Sequence, residues 1–145
     1  MQGGKREMRT VIKKTGKIIE LVLFLICGLC FLSCLITGIR TGKPSVFGFR
    51  PFFVMTGSME PTIYARSLVL AVPVSPDEVS EGDIVTYTRT AKDVGGGHVR
   101  IPFTVVHRVR EIKGDVFIFQ GDNESEPDPP VRAEQIGYRV VWISG

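Results

Sequence analysis

Beyond residue 34 this 145-residue chain has no cysteine; Cys27, Cys30 and Cys34 are all it contains. Whatever folds after them does so without a disulfide, in any redox environment. Acidic residues are scarce at the opposite end. Residues 1–50 carry nine Lys/Arg against two acids, a balance of +7, whereas residues 51–145 carry nine against thirteen, a balance of −4. The net charge of +3 hides that asymmetry. Histidine is nearly absent, so chemistry needing an imidazole base has two candidates, His98 and His107. Residues 51–145 hold no useful stretch of apolar residues at helical period and no internal repeat, which argues against a helical fold there. The run Gly95-Gly96-Gly97 lacks a Gly-Lys-Ser/Thr ending and a following helix, and reads as loop rather than phosphate cradle. The length accommodates one compact domain and one accessory element.

That accessory element is at the N-terminus. Lys5, Arg6, Arg9, Lys13, Lys14 and Lys17 lead into residues 21–39, which contain no charge. Nineteen helical residues rise about 29 Å, close to the ~30 Å hydrocarbon thickness of a bilayer. A cleaved leader is the alternative, but its apolar region is ~7–15 residues long and ends at a small-x-small site, whereas this one runs into Thr37-Gly38-Ile39-Arg40. The six preceding basic residues outnumber Arg40, Lys43 and Arg50, so the N-terminus is expected in the cytoplasm and everything after the span outside. Glu20 falls at the cytoplasmic edge, within reach of the headgroups. The three cysteines share one helix face at i, i+3 and i+7 and, without His or carboxylate partners, read as small packing residues.

The expected organisation is a basic cytoplasmic segment at 1–17, a transmembrane anchor at 18–40, a linker at 41–50 and an extracytoplasmic β-rich domain at 51–145. Thr41-Gly42-Lys43-Pro44-Ser45 has linker composition. Phe47, Phe49, Phe52 and Phe53 suit either the membrane interface or core packing. Strands are expected at 52–55, 68–72, 84–88, 103–109, 116–120 and 138–143, separated by turn signals such as Pro76-Asp77, Glu81-Gly82-Asp83 and Lys113-Gly114, the last a hairpin turn.

Met55-Thr56-Gly57-Ser58-Met59-Glu60-Pro61-Thr62 follows an apolar run directly. Gly57 gives the backbone freedom and Pro61 stiffens the exit, which suits a hydroxyl displayed at a strand end. A serine is a poor nucleophile until a base takes its proton. His98 lies in the glycine-rich loop. His107 lies on a strand whose alternation puts it on one face with Val105 and Val109, a rigid mount for a general base, although such a histidine also serves as a hydrogen-bonded core residue. The third group is sought among the carboxylates of 120–130. Asp128 has prolines on both sides and follows the strand that hairpins from that of His107; solvated surface acid is the other reading of this loop.

Taken together, these segments resemble the type I signal peptidases, in particular their endoplasmic-reticulum-type branch of eukaryotes, archaea and some Gram-positive bacteria. The boxes are Thr56-Gly57-Ser58-Met59-Glu60-Pro61-Thr62, Glu81-Gly82-Asp83-Ile84-Val85, Val106-His107-Arg108-Val109 and Gly121-Asp122-Asn123, in that order after an N-terminal span. The resemblance implies a mainly β, signal-peptidase-like catalytic domain, a serine endopeptidase activity on signal peptides, and no cofactor or metal. It implies Ser58 as nucleophile, His107 as base where the usual bacterial branch has lysine, Asp128 as the acid paired with histidine, Asp122 as a supporting acid, and Thr56 beside Gly57 as a hydroxyl of the oxyanion hole. Lys92 and Lys113 are then loop residues. The chain departs from the family pattern at Arg66-Ser67, where Arg-Gly-Asp is common, and at Asn123-Glu124, where a pair of asparagines is common. Many bacterial members of the branch carry a second span near the C-terminus. Residues 140–145 are too short for one, so the protein is either single-spanning or lacks its tail.

The expected partners are signal-peptide-bearing preproteins, the lipid bilayer and the translocation channel. The expected location is the plasma membrane of a Gram-positive bacterium, with an endoplasmic reticulum membrane as the other setting. A self-cleaving regulator of the related Ser–Lys fold is disfavoured, since such proteins resemble DNA-binding switches and this chain has a span and no basic reading helix; no nucleic-acid partner is expected. The non-catalytic alternative is a membrane-anchored scaffold that binds signal peptides or translocon partners. Loss of a catalytic residue would mark it, and none is lost.

Overall fold

The computed structural model describes residues 3–90 and 102–144, with side chains from residue 13 onward. His98, Lys92 and the triple glycine lie outside the described residues. The chain divides into two compact units, Met1–Phe47 and Gly48–Gly145.

The first unit is one helix, α1 (Gly3–Thr41), and the residues that turn back on its end. Its portion Lys13–Thr41 is long and apolar enough to cross a membrane, and its apolar side chains are exposed, Phe24 at 76%. An all-round apolar helix without protein cover is suited to lipid. Past Gly42, in the left-handed region at φ +66°, the Ser45 N–H donates to Thr37 Oγ1 (2.9 Å) and the Phe47 N–H to Ser33 Oγ (2.8 Å).

The second unit is a seven-stranded, wholly antiparallel sheet: β1 (Arg50–Phe53), β2 (Leu68–Pro73), β3 (Ile84–Arg89), β4 (Phe103–Lys113), β5 (Val116–Gln120), β6 (Val131–Arg132) and β7 (Ile136–Ile143). Their spatial order is β1-β2-β7-β3-β4-β5-β6. The last strand thus inserts between β2 and β3, with Ala71 opposite Val140 on one side and Val85 opposite Arg139 on the other. Alternation decides which side chains go inward. In β5 Phe117 and Phe119 are buried, and in β2 Val69 and Ala71.

Two clusters form the core. One joins Val85, Tyr87, Val109, Phe117, Phe119, Val131 and Ile136; the other joins Val54, Met59, Ile63 and Val69. Each fully buried side chain of this size contributes about 1.5–3 kcal/mol. The β4–β5 turn is Gly114-Asp115, one residue later than the Lys113-Gly114 expectation, with Gly114 at φ +59°. The first strand ends at Phe53, short of the expected 55. Val54 leaves the sheet to exchange hydrogen bonds with the loop, its N–H donating to Ser67 O and its carbonyl accepting from the Arg66 N–H.

Candidate active site

Ser58 stands on a loop held from below and from the side. Met59 and Ile63, both 0% exposed, are buried at the two ends of a turn closed by the Ile63 N–H to the Met59 carbonyl (2.9 Å). The methionine of the Ser-Met-x-Pro box is therefore a core anchor, and it leaves the preceding serine at the surface. The Glu60–Pro61 peptide is cis. From the side comes the Gly121-Asp122-Asn123 box. The Asn123 N–H donates to the Ser58 carbonyl (2.9 Å), and Asn123 Nδ2 to the Gly57 carbonyl (3.2 Å). A Cβ on Gly121 would lie 2.5 Å from the Ser58 carbonyl oxygen, so only glycine lets these two backbones approach. A Cβ on Gly57 would meet the Glu60 carboxylate at 2.9 Å, a movable side chain.

Asp122 completes this clamp. It accepts both arms of the Arg108 guanidinium, Nε at 2.8 Å and Nη2 at 2.6 Å, and the Thr62 hydroxyl at 2.6 Å. The hydrogen bonds from Arg108 hold its carboxyl down to about 2 against the opposing effect of burial, and Thr62 adds to the lowering. Arg108 directly follows His107 on β4, so the two side chains take opposite faces. Asp122 bonds to Thr62 and Arg108 and so holds the nucleophile loop to the base-bearing strand.

His107 is 5% exposed and connects the other two groups. Its Nε2 is 3.0 Å from Ser58 Oγ, and its Nδ1 is 2.6 Å from Asp128 Oδ2. Asp128 is fixed by its own N–H donating to the Phe119 carbonyl (2.8 Å) and by two side chains of β3. Tyr87 OH donates to Oδ2 (2.7 Å) and Arg89 Nη1 to Oδ1 (3.1 Å). Burial would raise the Asp128 carboxyl, but the hydrogen bonds from His107 and Tyr87 and the nearby positive charges outweigh it and hold it below the usual value. Burial and the bond to Asp128 push the Tyr87 hydroxyl up, so it stays a donor. An ionised Asp128 only accepts, which puts the imidazole proton on Nδ1 and leaves Nε2 free to accept from Ser58. Thr56 Oγ1 lies 3.3 Å from Ser58 Oγ.

Ser58, His107 and Asp128 are thus brought into one hydrogen-bonded line, with Thr56 and Gly57 beside the serine. Lys113 is away at the β4–β5 turn, paired with Glu111 at 2.8 Å. Tyr87 and Arg89 were not anticipated. Their signal was the alternation Val85-Tyr87-Arg89: an arginine on the inward face of a strand needs a buried carboxylate. His107, Glu124 and Asp128 place one potential metal-ligand atom each within 4.8 Å of one another. The His107 and Asp128 atoms are already committed to each other, and the cluster reads as part of the hydrogen-bonded line.

A cleft of about 380 Å³ opens over Ser58, walled by residues 53–56 on one side and 103–107 on the other. Residues 103–107 pair with β3 alone among the described strands, because β5 joins β4 from Arg108 onward. The 103–107 wall is therefore strand backbone paired on its β3 side, whereas on the 53–56 wall only Phe53 belongs to a strand. A serine hydroxyl on a histidine that a carboxylate orients, beside a groove for an extended chain, defines a serine endopeptidase. Signal peptidase I W of Bacillus subtilis (strain 168) is 29% identical over 140 residues, covering 89% of this chain and 68% of the relative. The chain is thus similar to a type I signal peptidase, and the motif order and the site agree with that likeness. No family model matches the chain, and no solved structure does.

Proposed function

We propose that this protein, anchored by α1, removes signal peptides from exported preproteins on the outer face of the membrane, with Ser58 as nucleophile, His107 as general base and Asp128 as the group that orients it. The observation that carries the reading is the continuous line from Ser58 Oγ to His107 Nε2 at 3.0 Å and from Nδ1 to Asp128 at 2.6 Å. His107 takes the Ser58 proton as Oγ attacks the scissile carbonyl, and returns it to the departing amine; Asp128 stabilises the imidazolium between the two transfers. The ester then yields to water activated by the same nitrogen. Thr56 and the Ser58 amide receive the developing oxyanion, each such donor supporting about 2.7–4 kcal/mol of transition-state stabilisation. The substrate lies extended between residues 53–56 and 103–107 and pairs with their backbone, while shallow pockets take small side chains. The bilayer holds enzyme and substrate alike, with the basic residues before the span on the cytoplasmic side.

The test is cleavage of a panel of preproteins with small-x-small sites in detergent. Wild type cuts after the second small residue, and Ser58→Ala loses activity by a factor on the order of 10⁶. Equal cleavage by Ser58→Ala would overturn the nucleophile assignment, and no cleavage by wild type would overturn the function.

A further inference from the structure

The cleft is lined chiefly by apolar side chains and hydroxyls, and among its lining residues Glu124 is the only carboxylate. Its backbone is fixed at both ends of a tight turn: the N–H donates to the Gly121 carbonyl (3.1 Å), and the carbonyl accepts from Gln120 Nε2 (2.7 Å). The side chain lies over Gly121, with Cγ and Cδ 3.1 Å from where a Cβ of that glycine would be. It emerges 41% exposed, with Oε2 at 3.8 Å from His107 Nε2. Asp128, by contrast, is on the Nδ1 side of the ring and is 11% exposed.

That position has a defined relation to the reaction. His107 Nε2 must come within hydrogen-bond reach, about 3 Å, of the departing amine to return the proton. A carboxylate oxygen 3.8 Å from the same nitrogen is then within about 7 Å of that amine. We propose that Glu124 is a specificity-determining residue of the leaving-group side: it favours substrates with a lysine or arginine in the first two positions after the scissile bond and disfavours aspartate or glutamate there. This rests on the protease reading given above. At that distance, in a half-open cleft, one charge pair changes kcat/KM by about 3–10-fold in each direction.

The test uses the full-length protein in detergent with peptides identical except for Lys, Ala or Glu at the first position after the cut. Wild type prefers Lys over Ala over Glu, the order compresses at high salt, Glu124→Gln brings the three rates together and Glu124→Lys reverses them. Each comparison is a ratio within one enzyme, so a general loss of activity in a variant does not affect it. Binding of the same peptides to Ser58→Ala, with and without Glu124→Gln, measures the preference without cleavage. A Lys-to-Glu ratio that Glu124→Gln leaves unchanged in both measurements overturns the proposal while the protease reading stands. Charge-dependent binding that needs Glu124, in a protein whose wild type cuts none of the peptides, upholds the subsite and overturns the protease reading.

Discussion

At the scale of single residues, the chain places three donors around one carboxylate. Asp128 accepts from His107, Tyr87 and Arg89, and this crowding keeps it ionised although it is buried. Asp128→Asn keeps the shape but can present a donor to Nδ1, which favours the wrong imidazole tautomer; kcat should fall by about 10⁴. Tyr87→Phe removes one hydrogen bond to a charged group, worth about 1.5–3 kcal/mol, and leaves the tautomer intact. Its kcat should fall by about 10–100-fold with KM little changed, because the tyrosine acts through Asp128 and His107 and lines no part of the cleft. Steady-state kinetics on one peptide check both, and a Tyr87→Phe loss as large as that of Asp128→Asn would contradict this order. The serine and the histidine that the structure brings together each lie in a short box with a recognisable neighbour, whereas Asp128 lies outside the boxes and was expected there only by resemblance. The tyrosine and arginine were not legible, since they are 41 and 39 residues from Asp128 and meet it only through the β3–β4 register, Val85 opposite His107.

At the scale of elements, boundaries show where sequence pattern gives out. Alternation located most of the strands, but β6 is two residues long and exists because Val131 pairs with Phe117 across β5, a relation no local pattern announces. The place of β7 between β2 and β3 is likewise a long-range fact. The Gly121-Asp122-Asn123 box was read as a source of acid, yet its larger effect is mechanical: it clamps the nucleophile loop to β4. Two outcomes follow from that clamp. Gly121→Ala forces a methyl into the Ser58 carbonyl and should displace the loop, destabilising the fold by about 1–3 kcal/mol, the range of an overpacked site, and abolishing most of the activity. Urea unfolding beside a peptide assay checks it. The Asp122 carboxyl titrates at about 2 when folded, below its ordinary 3.8, so its pairing with Arg108 stabilises the fold in full above about pH 4. That contribution is lost as the pH falls towards 2. The wild-type urea midpoint should therefore drop through this window, and Asp122→Asn should start lower at neutral pH and show a shallower drop. Equal slopes for the two proteins would remove Asp122 from the account.

At the scale of the whole molecule, charge and burial divide the chain at the same region. The positive excess lies in residues 1–50 and the negative excess beyond, and both buried clusters are built from residues after 48. The residues of the Ser58–His107–Asp128 line and the strands that carry them also lie in Gly48–Gly145. On the proposed function the helix serves location: it confines the enzyme to the plane in which a membrane-held substrate also moves. Confinement raises effective concentration without any new contact, by a factor that for tethered pairs reaches about 10²–10⁴. Deleting residues 1–47 should leave a β unit that unfolds in one cooperative urea transition, with a slope that scales with its own buried surface. It should cut a short soluble peptide at close to the full-length rate. On a preprotein held in vesicles it should fall behind the full-length enzyme by a large part of that factor, and a heterologous single-span anchor in place of residues 1–47 should restore the rate. Were the truncated protein equally fast on the vesicle-held substrate, the helix would be dispensable for catalysis in the membrane; were it slow on the soluble peptide as well, α1 would be contributing to the site itself.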